Sequence, residues 1–189
     1  LDKDTSGLLV VARTLPAQAA LARALERREV HREYEAVCCG VPTGGGSVAA
    51  PLGRHPVDRL RRTVRADGRA AVTHYRVAER FRAHAHVRVQ LETGRTHQIR
   101  VHLAHIGHPL VGDPLYGRRL VIPKAATPRL AAVLRGFRRQ ALHAAKLGFA
   151  HPLGGEPLEF AAPLPADFVE LLEALREDAR LAAQAARAR

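Results

Sequence analysis

The segment Leu91-Glu92-Thr93-Gly94-Arg95-Thr96-His97-Gln98-Ile99-Arg100-Val101-His102 reads as the end of a strand, a tight turn and the start of a helix. Gly94 lets the backbone turn where a side chain would clash. Thr96 is the expected helix N-cap, since its hydroxyl can accept from the first free amides. Ile99, Leu103 and Ile106 recur at i, i+4 and i+7, so one face of the helix is buried. Gly107 and Pro109 end it. Arg100 lies three residues after His97 and shares another face with it, so the helix can present a fixed guanidinium to a partner elsewhere.

Upstream of this turn, residues 84–92 alternate as a strand. Ala85, Val87, Val89 and Leu91 are expected inward, and His84, His86, Arg88 and Gln90 outward. Residues 72–77 form another strand, and Asp67-Gly68 is a hairpin turn between Val64 and Val72. Residues 54–69 are the most basic part of the chain, with Arg54, Arg59, Arg61, Arg62, Arg65 and Arg69; a basic hairpin suits an RNA backbone. The glycine run at 44–46 lacks the lysine and spacing of a phosphate-binding loop and reads as a turn. Residues 32–41 form a strand with Tyr34, Ala36 and Cys38 on one face and Glu33, Glu35 and Val37 on the other. Before it, Thr14 and Pro16 open a helix whose inner face carries Leu21 and Leu25. The apolar run 8–12 reads as a buried strand.

Downstream, 111–117 and 123–127 are loops, 130–137 a short helix and 140–150 a strand. A helix over 165–181 follows, with Phe168, Leu171, Leu172 and Leu175 on its apolar face, and the alanine- and arginine-rich end frays from Arg180. These elements specify an α+β chain.

With 189 residues and 47% hydrophobic content, the chain can bury a core. Its formal net charge of +12 is nearly all arginine, since lysine occurs only at Lys3, Lys124 and Lys146. Arginine forks match phosphates and base edges, so the expected partner is a polyanion, nucleic acid first. Cys38 and Cys39 are adjacent, without the spacing of zinc ligands, and fit a reducing cytoplasm. No run approaches the roughly 18 apolar residues of a membrane helix. His97, His102, His105 and His108 lack the i, i+4 pairing around a glutamate that marks a metal site, so no metal is expected. Asp2 and Asp4, read alone, are turn residues.

Three ordered motifs change that reading. They are Leu1-Asp2-Lys3-Asp4-Thr5-Ser6-Gly7-Leu8-Leu9-Val10-Val11-Ala12, then Arg32-Glu33-Tyr34-Glu35-Ala36-Val37, then residues 93–102. Together they resemble the RluA-type family of RNA pseudouridine synthases. The resemblance continues through His108-Pro109-Leu110-Val111-Gly112-Asp113-Pro114-Leu115-Tyr116-Gly117 and Arg139-Gln140-Ala141-Leu142-His143-Ala144, and covers about residues 1–175. Within the family the chain is most similar to the large-subunit ribosomal RNA synthase D branch.

The resemblance implies a pseudouridine synthase catalytic fold, with a mixed, mostly antiparallel sheet flanked by helices and its N-terminal part missing. It places the C-terminal portion of the catalytic domain at 1–175 and a helical, frayed tail at 176–189. The implied catalytic residue is Asp2. Tyr34 becomes the active-site tyrosine and Arg100 the arginine that pairs with Asp2, keeps it ionised and orients it through a bidentate bond. Arg95 and His97 flank the site and contact RNA. The implied activity is isomerisation of specific uridines to pseudouridine in large-subunit (23S) ribosomal RNA, in the cytoplasm, by a monomer without cofactor. A noncatalytic RNA-binding or ribosome-assembly module, or the same reaction on transfer RNA, are the alternatives. The family carries His-Arg before the Leu-Asp pair; the chain begins after both, so a longer parent with a small N-terminal RNA-binding domain is expected.

Overall fold

The computed structural model describes residues 1–117 and 119–188. Its elements in chain order are β1 (Ser6–Gly7), α1 (Leu15–Glu26), β2 (His31–Cys39), β3 (Gly46–Ala49), β4 (Leu52–Arg54), β5 (Arg62–Val64), β6 (Val72–Arg80), β7 (His84–Leu91), α2 (Gln98–His105), α3 (Pro128–Gly136), β8 (Leu142–Ala150), β9 (Pro157–Ala161) and α4 (Ala166–Arg187). Among the described residues, seven strands form one sheet in the order β1-β8-β2-β7-β6-β3, with β9 also paired to β8. Every pairing is antiparallel except β1 with β8. The mixed, mostly antiparallel α+β architecture is the expected one. No helix among the described residues is long and apolar enough to cross a membrane.

Period-2 alternation sends β2 and β7 side chains to two faces, and each face has its own core. Ala36, Cys38, Val87 and Val89 meet Ile99 and Leu103 of α2. Val37, on the opposite face, joins Leu130 and Leu134 of α3 and Phe168, Leu171 and Leu175 of α4. Each such fully buried Leu or Phe contributes about 1.5–3 kcal/mol of transfer free energy. Cys38 is a packing residue, its thiol pushed up to about 12 by burial.

Several local expectations change. The run 8–12 is extended but unpaired beyond a single bond from the Leu8 amide to the Ala144 carbonyl; Leu9 and Val11 are exposed, and only Leu8, Val10 and Ala12 pack inward. Apolar character cannot make a strand without a neighbour to bond. Leu25 is likewise exposed, while Leu21 is buried. The basic hairpin is β4–β5, closed by residues 55–61; Asp67-Gly68 instead bends the chain so that Arg69 bridges back to Leu52. β3 starts inside the glycine run. Fraying does not set in at Arg180, for α4 continues to Arg187. Its Asp178 is buried and accepts from Arg82 (2.9 Å) and the Thr127 amide (2.7 Å), which ties the second half of the helix down.

His84 and His86, expected outward, are 1% and 6% exposed, because the α3–α4 layer covers their end of the face. The His86 ring meets Phe168 edge-on, 6.2 Å between centroids. Burial drops the His84 pKa to about 4. The unfolded chain takes up this proton near pH 6.5, the fold only near pH 4. Stability from neutral His84 is therefore complete above about pH 6.5 and falls by up to about 3 kcal/mol as pH drops to 4. Thermal melts across that range should show a flatter pH response for His84→Leu than for the wild type; identical responses would contradict this.

Candidate active site

Backbone geometry carries Asp2 to the end of α2. Gly7 has φ +106 and lies against β8 so closely that a Cβ would stand 2.2 Å from the Ala144 carbonyl oxygen. Only glycine permits the parallel pairing of Ser6 and Gly7 with His143 and Ala144. The Ser6 hydroxyl meets His143 Nδ1 at 2.9 Å. The Gln140 amide donates to the Lys3 carbonyl (2.6 Å) and the Thr5 hydroxyl (2.9 Å). The Thr5 amide donates to the Asp2 carbonyl at 3.1 Å and closes the turn. Asp4 takes a left-handed conformation within it, as Asp tolerates.

The partner of Asp2 comes from α2. Arg100, with only 3% of its side chain exposed, places Nη1 3.3 Å from Asp2 Oδ2. The bidentate bond expected with Asp2 is made elsewhere. Arg100 Nε and Nη2 donate to the two oxygens of Asp113 at 2.8 and 2.9 Å. Asp113 wins the fork because its turn holds it rigidly: Oδ1 also accepts from the Leu115 (2.9 Å) and Tyr116 (3.0 Å) amides. Burial alone would raise the Asp113 pKa, but Arg100 and those amides outweigh it and hold the carboxyl below its usual range. Burial likewise works against the Arg100 charge, and Asp113 with Asp2 reverses the effect. A buried, neutralised pair thus offers one remaining guanidinium edge to Asp2, whose side chain stays 20% exposed.

Asp2 opens into a pocket of about 380 Å³. Asp2, Tyr34, Arg95 and His97 all line it, and Arg100 lies behind Asp2. Tyr34 stands where β2 slips register against β8, with Glu33 opposite Lys146 and Tyr34 opposite Ala144. Such bulges re-aim side chains. Burial raises the Tyr34 pKa, Arg32 opposes and Asp2 reinforces, so its hydroxyl keeps its proton at neutral pH. A larger groove of about 640 Å³ adjoins, but its charges pair with one another, as in Arg28–Glu92, His74–Glu92 and Lys146–Glu33. On the other side of residues 94–96 lies a basic pocket of about 340 Å³ with Arg54, Arg62 and Arg69.

Thr96 does not cap α2. His97 occupies the N-cap in the left-handed region, φ 59, and makes no capping bond. The turn is held instead by Gln98, 3% exposed. Its oxygen accepts from the Thr93 hydroxyl (2.8 Å) and the Arg95 amide (3.0 Å), and its amide donates to the Val72 carbonyl and Thr73 hydroxyl (both 2.9 Å). Thr73 in turn meets His102 Nδ1 at 2.8 Å, and His102 Nε2 donates to the Ala50 carbonyl at 2.9 Å. The Arg95 guanidinium donates to the Ala70 carbonyl at 3.1 Å. A Cβ on Gly94 would meet the Arg32 guanidinium at 2.5 Å, so the turn's glycine makes room for a cation.

Arg32, Gln98, Asp113, Tyr116 and Gln140 escaped the sequence reading. Arg32 faces the pocket beside Tyr34, with its Nε buried and unbonded and its charge disfavoured by burial, which Tyr34 only partly offsets. Its i, i+2 spacing from Tyr34 was the available signal. Asp113 and Tyr116 looked like turn residues, and nothing in their spacing announced a buried ion pair.

This arrangement offers a partly exposed carboxylate backed by a guanidinium, facing a phenol across a nucleotide-sized space. The carboxylate can add to an electrophilic carbon or remove a proton.

A family model described as RNA pseudouridylate synthase matches residues 1–105. A ribosomal large subunit pseudouridine synthase D from Xanthomonas campestris pv. campestris is 60% identical over 187 residues, covering 99% of this chain and 56% of that protein. Those from Vibrio cholerae (59% over 181 residues) and Escherichia coli K12 (56% over 178) cover 96% and 94% of this chain and 56% and 55% of their own lengths. The chain thus spans about half the length of the curated relatives it matches. Among solved structures, human RNA Pseudouridylate Synthase Domain Containing 4 superposes with TM-score 0.73 at 28% identity, over 93% of this chain and 74% of that one. Human RNA Pseudouridylate Synthase Domain Containing 1 gives 0.70 at 27%, over 87% and 67%. Fold, motifs and sequence identity agree, and the chain belongs to the RNA pseudouridylate synthase family.

Proposed function

We propose that this chain carries the catalytic centre of an enzyme that isomerises uridine to pseudouridine in large-subunit ribosomal RNA. The observation that carries the reading is Asp2, partly exposed to a nucleotide-sized pocket and backed by a guanidinium already neutralised by Asp113. The reaction breaks the bond from N1 of uracil to C1′ of ribose and forms one from C5 to C1′. C5 loses its proton and N1 gains one, so nothing is oxidised and no cofactor is required. Asp2, as carboxylate, either adds to the sugar or removes a sugar proton. Arg100 orients it, and Tyr34 offers a ring face to uracil and a neutral hydroxyl near the departing proton. A uridine within structured RNA reaches such a pocket only by flipping out of its stack.

The basic pocket next to residues 94–96 supplies the backbone contact. Among the described residues Arg65 differs from Arg54, Arg62 and Arg69 in already being paired, with Asp67 at 2.7 and 2.6 Å. Replacing Arg54, Arg62 and Arg69 together by Gln should weaken RNA binding and lower the slope of log affinity against log salt by about 2–3, at roughly 0.7–0.9 per phosphate contact. An unchanged slope in filter binding would remove these arginines from the interface.

The reading is tested with the whole protein and ribosomal RNA tritiated at C5 of uridine. Release of label to water is expected. Tight, salt-sensitive binding without release would favour a noncatalytic RNA-binding module, and release from transfer RNA alone would reassign the substrate.

A further inference from the structure

Tyr116 lies behind the pocket with 7% of its surface exposed. Its oxygen accepts the Arg62 backbone amide at 2.7 Å. The same oxygen is 2.7 Å from His97 Nδ1. A phenol has one proton, and among the described residues His97 Nδ1 is the only acceptor bonded to it. The proton therefore points at Nδ1, and the ring carries its own on Nε2. An imidazolium would leave Tyr116 facing two donors with its own proton unplaced. It would also sit beside Arg100, whose guanidinium carbon is 5.1 Å from the Tyr116 ring centroid, and Arg61 at 5.5 Å. Asp2 and Asp113 pull the other way, yet burial leaves His97 below its ordinary range, so the ring is neutral.

Two further contacts fix the ring's direction. His97 stacks edge-on against Tyr116, 5.5 Å between centroids at 74°, and its backbone is held in the left-handed region by the turn that Gln98 secures. His97 lines the pocket with Asp2 and Tyr34, and its Nε2 has no partner among the described residues. We propose that Tyr116 locks His97 as the Nε2–H tautomer, so that the pocket presents a fixed N–H donor to an acceptor oxygen of the bound nucleotide. Tyr116 is then a positioning residue acting through His97, and it also links the basic hairpin, through Arg62, to the pocket wall. The ligand half of this inference rests on the proposed function; the tautomer does not.

The test begins without RNA. In the whole protein with ¹⁵N-labelled histidine, ring-nitrogen NMR reads the tautomer, the His97 signals being identified by their loss in His97→Gln. The expected pattern at pH 7 is Nε2–H, lost or mixed in Tyr116→Phe; an Nδ1–H or doubly protonated His97 in the wild type overturns the proposal. The kinetic arm compares two substitutions. Gln places an amide N–H near the Nε2 position, whereas Asn reaches only the Nδ1 position but suits the left-handed backbone better. His97→Asn should therefore lose about tenfold in kcat/KM relative to His97→Gln, the worth of one hydrogen bond. Asn equal to or better than Gln would assign His97 a purely structural role and defeat the proposal. An RNA with 2′-deoxyuridine at the target then separates the possible acceptors. The Asn penalty disappears if the oxygen is the ribose hydroxyl and persists if it is a uracil carbonyl.

Discussion

Asp2→Asn should abolish turnover, by roughly 10²–10⁴-fold or more, while leaving the fold and RNA affinity nearly intact. The substitution removes a charge and a proton acceptor and almost nothing else. Asn keeps an oxygen that can meet Arg100 Nη1, now 3.3 Å from Asp2 Oδ2. Arg100 keeps its two-pronged bond to Asp113, so no buried cation is stranded. The turn around Asp2 is held by Gln140, Thr5 and the β1–β8 pairing, none of which uses the Asp2 side chain. The loss is therefore chemical: an amide neither adds to ribose nor takes its proton. Single-turnover tritium release, beside filter binding of the same RNA, separates the two effects. Turnover within a few-fold of wild type would end the assignment of Asp2 as the catalytic group.

Arg100→Ala should cost about 3–5 kcal/mol of stability as well as activity, because it strands Asp113 in the interior. The Asp113 side chain is fully buried, and among the described residues the cation paired with it is Arg100. For a chain of this length that corresponds to a fall of about 10 °C or more in melting temperature. The pH dependence makes the cause legible. In the wild type Asp113 is held below its usual range, so the pair's stabilisation is full above the unfolded carboxylate pKa and is lost as pH falls through the lower folded value. Without Arg100 the folded carboxyl rises above its wild-type value, because burial, the largest influence, is then opposed by the two amides without the guanidinium. The variant then gains relative stability on acidification, as Asp113 takes up its proton while still folded. Melts at pH 7.5 and 5 should show the deficit shrinking at the lower pH. An equal deficit at both would mean that lost packing over Tyr116, not an unpaired carboxylate, accounts for it.

Local pattern made much of this molecule legible. Alternation in 84–91 located β7 and its inward residues, and the Ile99–Leu103 spacing found α2, because those periods arise within a single element. The burial of His84 and His86 on the other face of β7 is not written in that alternation, for a reason of distance. Whether His84 meets water or a helix depends on α3 and α4, which lie far along the chain. The run 8–12 failed in the same way, since a strand exists only with a partner.

The candidate site divides along the same line. Sequence motifs named Asp2, Tyr34, Arg95, His97 and Arg100, and tertiary structure brought the first four to one pocket with Arg100 behind them. The sequence by itself determined the α+β pattern, the family resemblance and the residue types the chemistry would need, because these are written in local periods and short ordered motifs. Only the tertiary structure decided that Asp113 takes the fork of Arg100, that Gln98 and not Thr96 secures the turn, and that Tyr116 holds His97. Hydrogen-bond partners are chosen by proximity in space, and in this chain Asp2 meets an arginine 98 residues away.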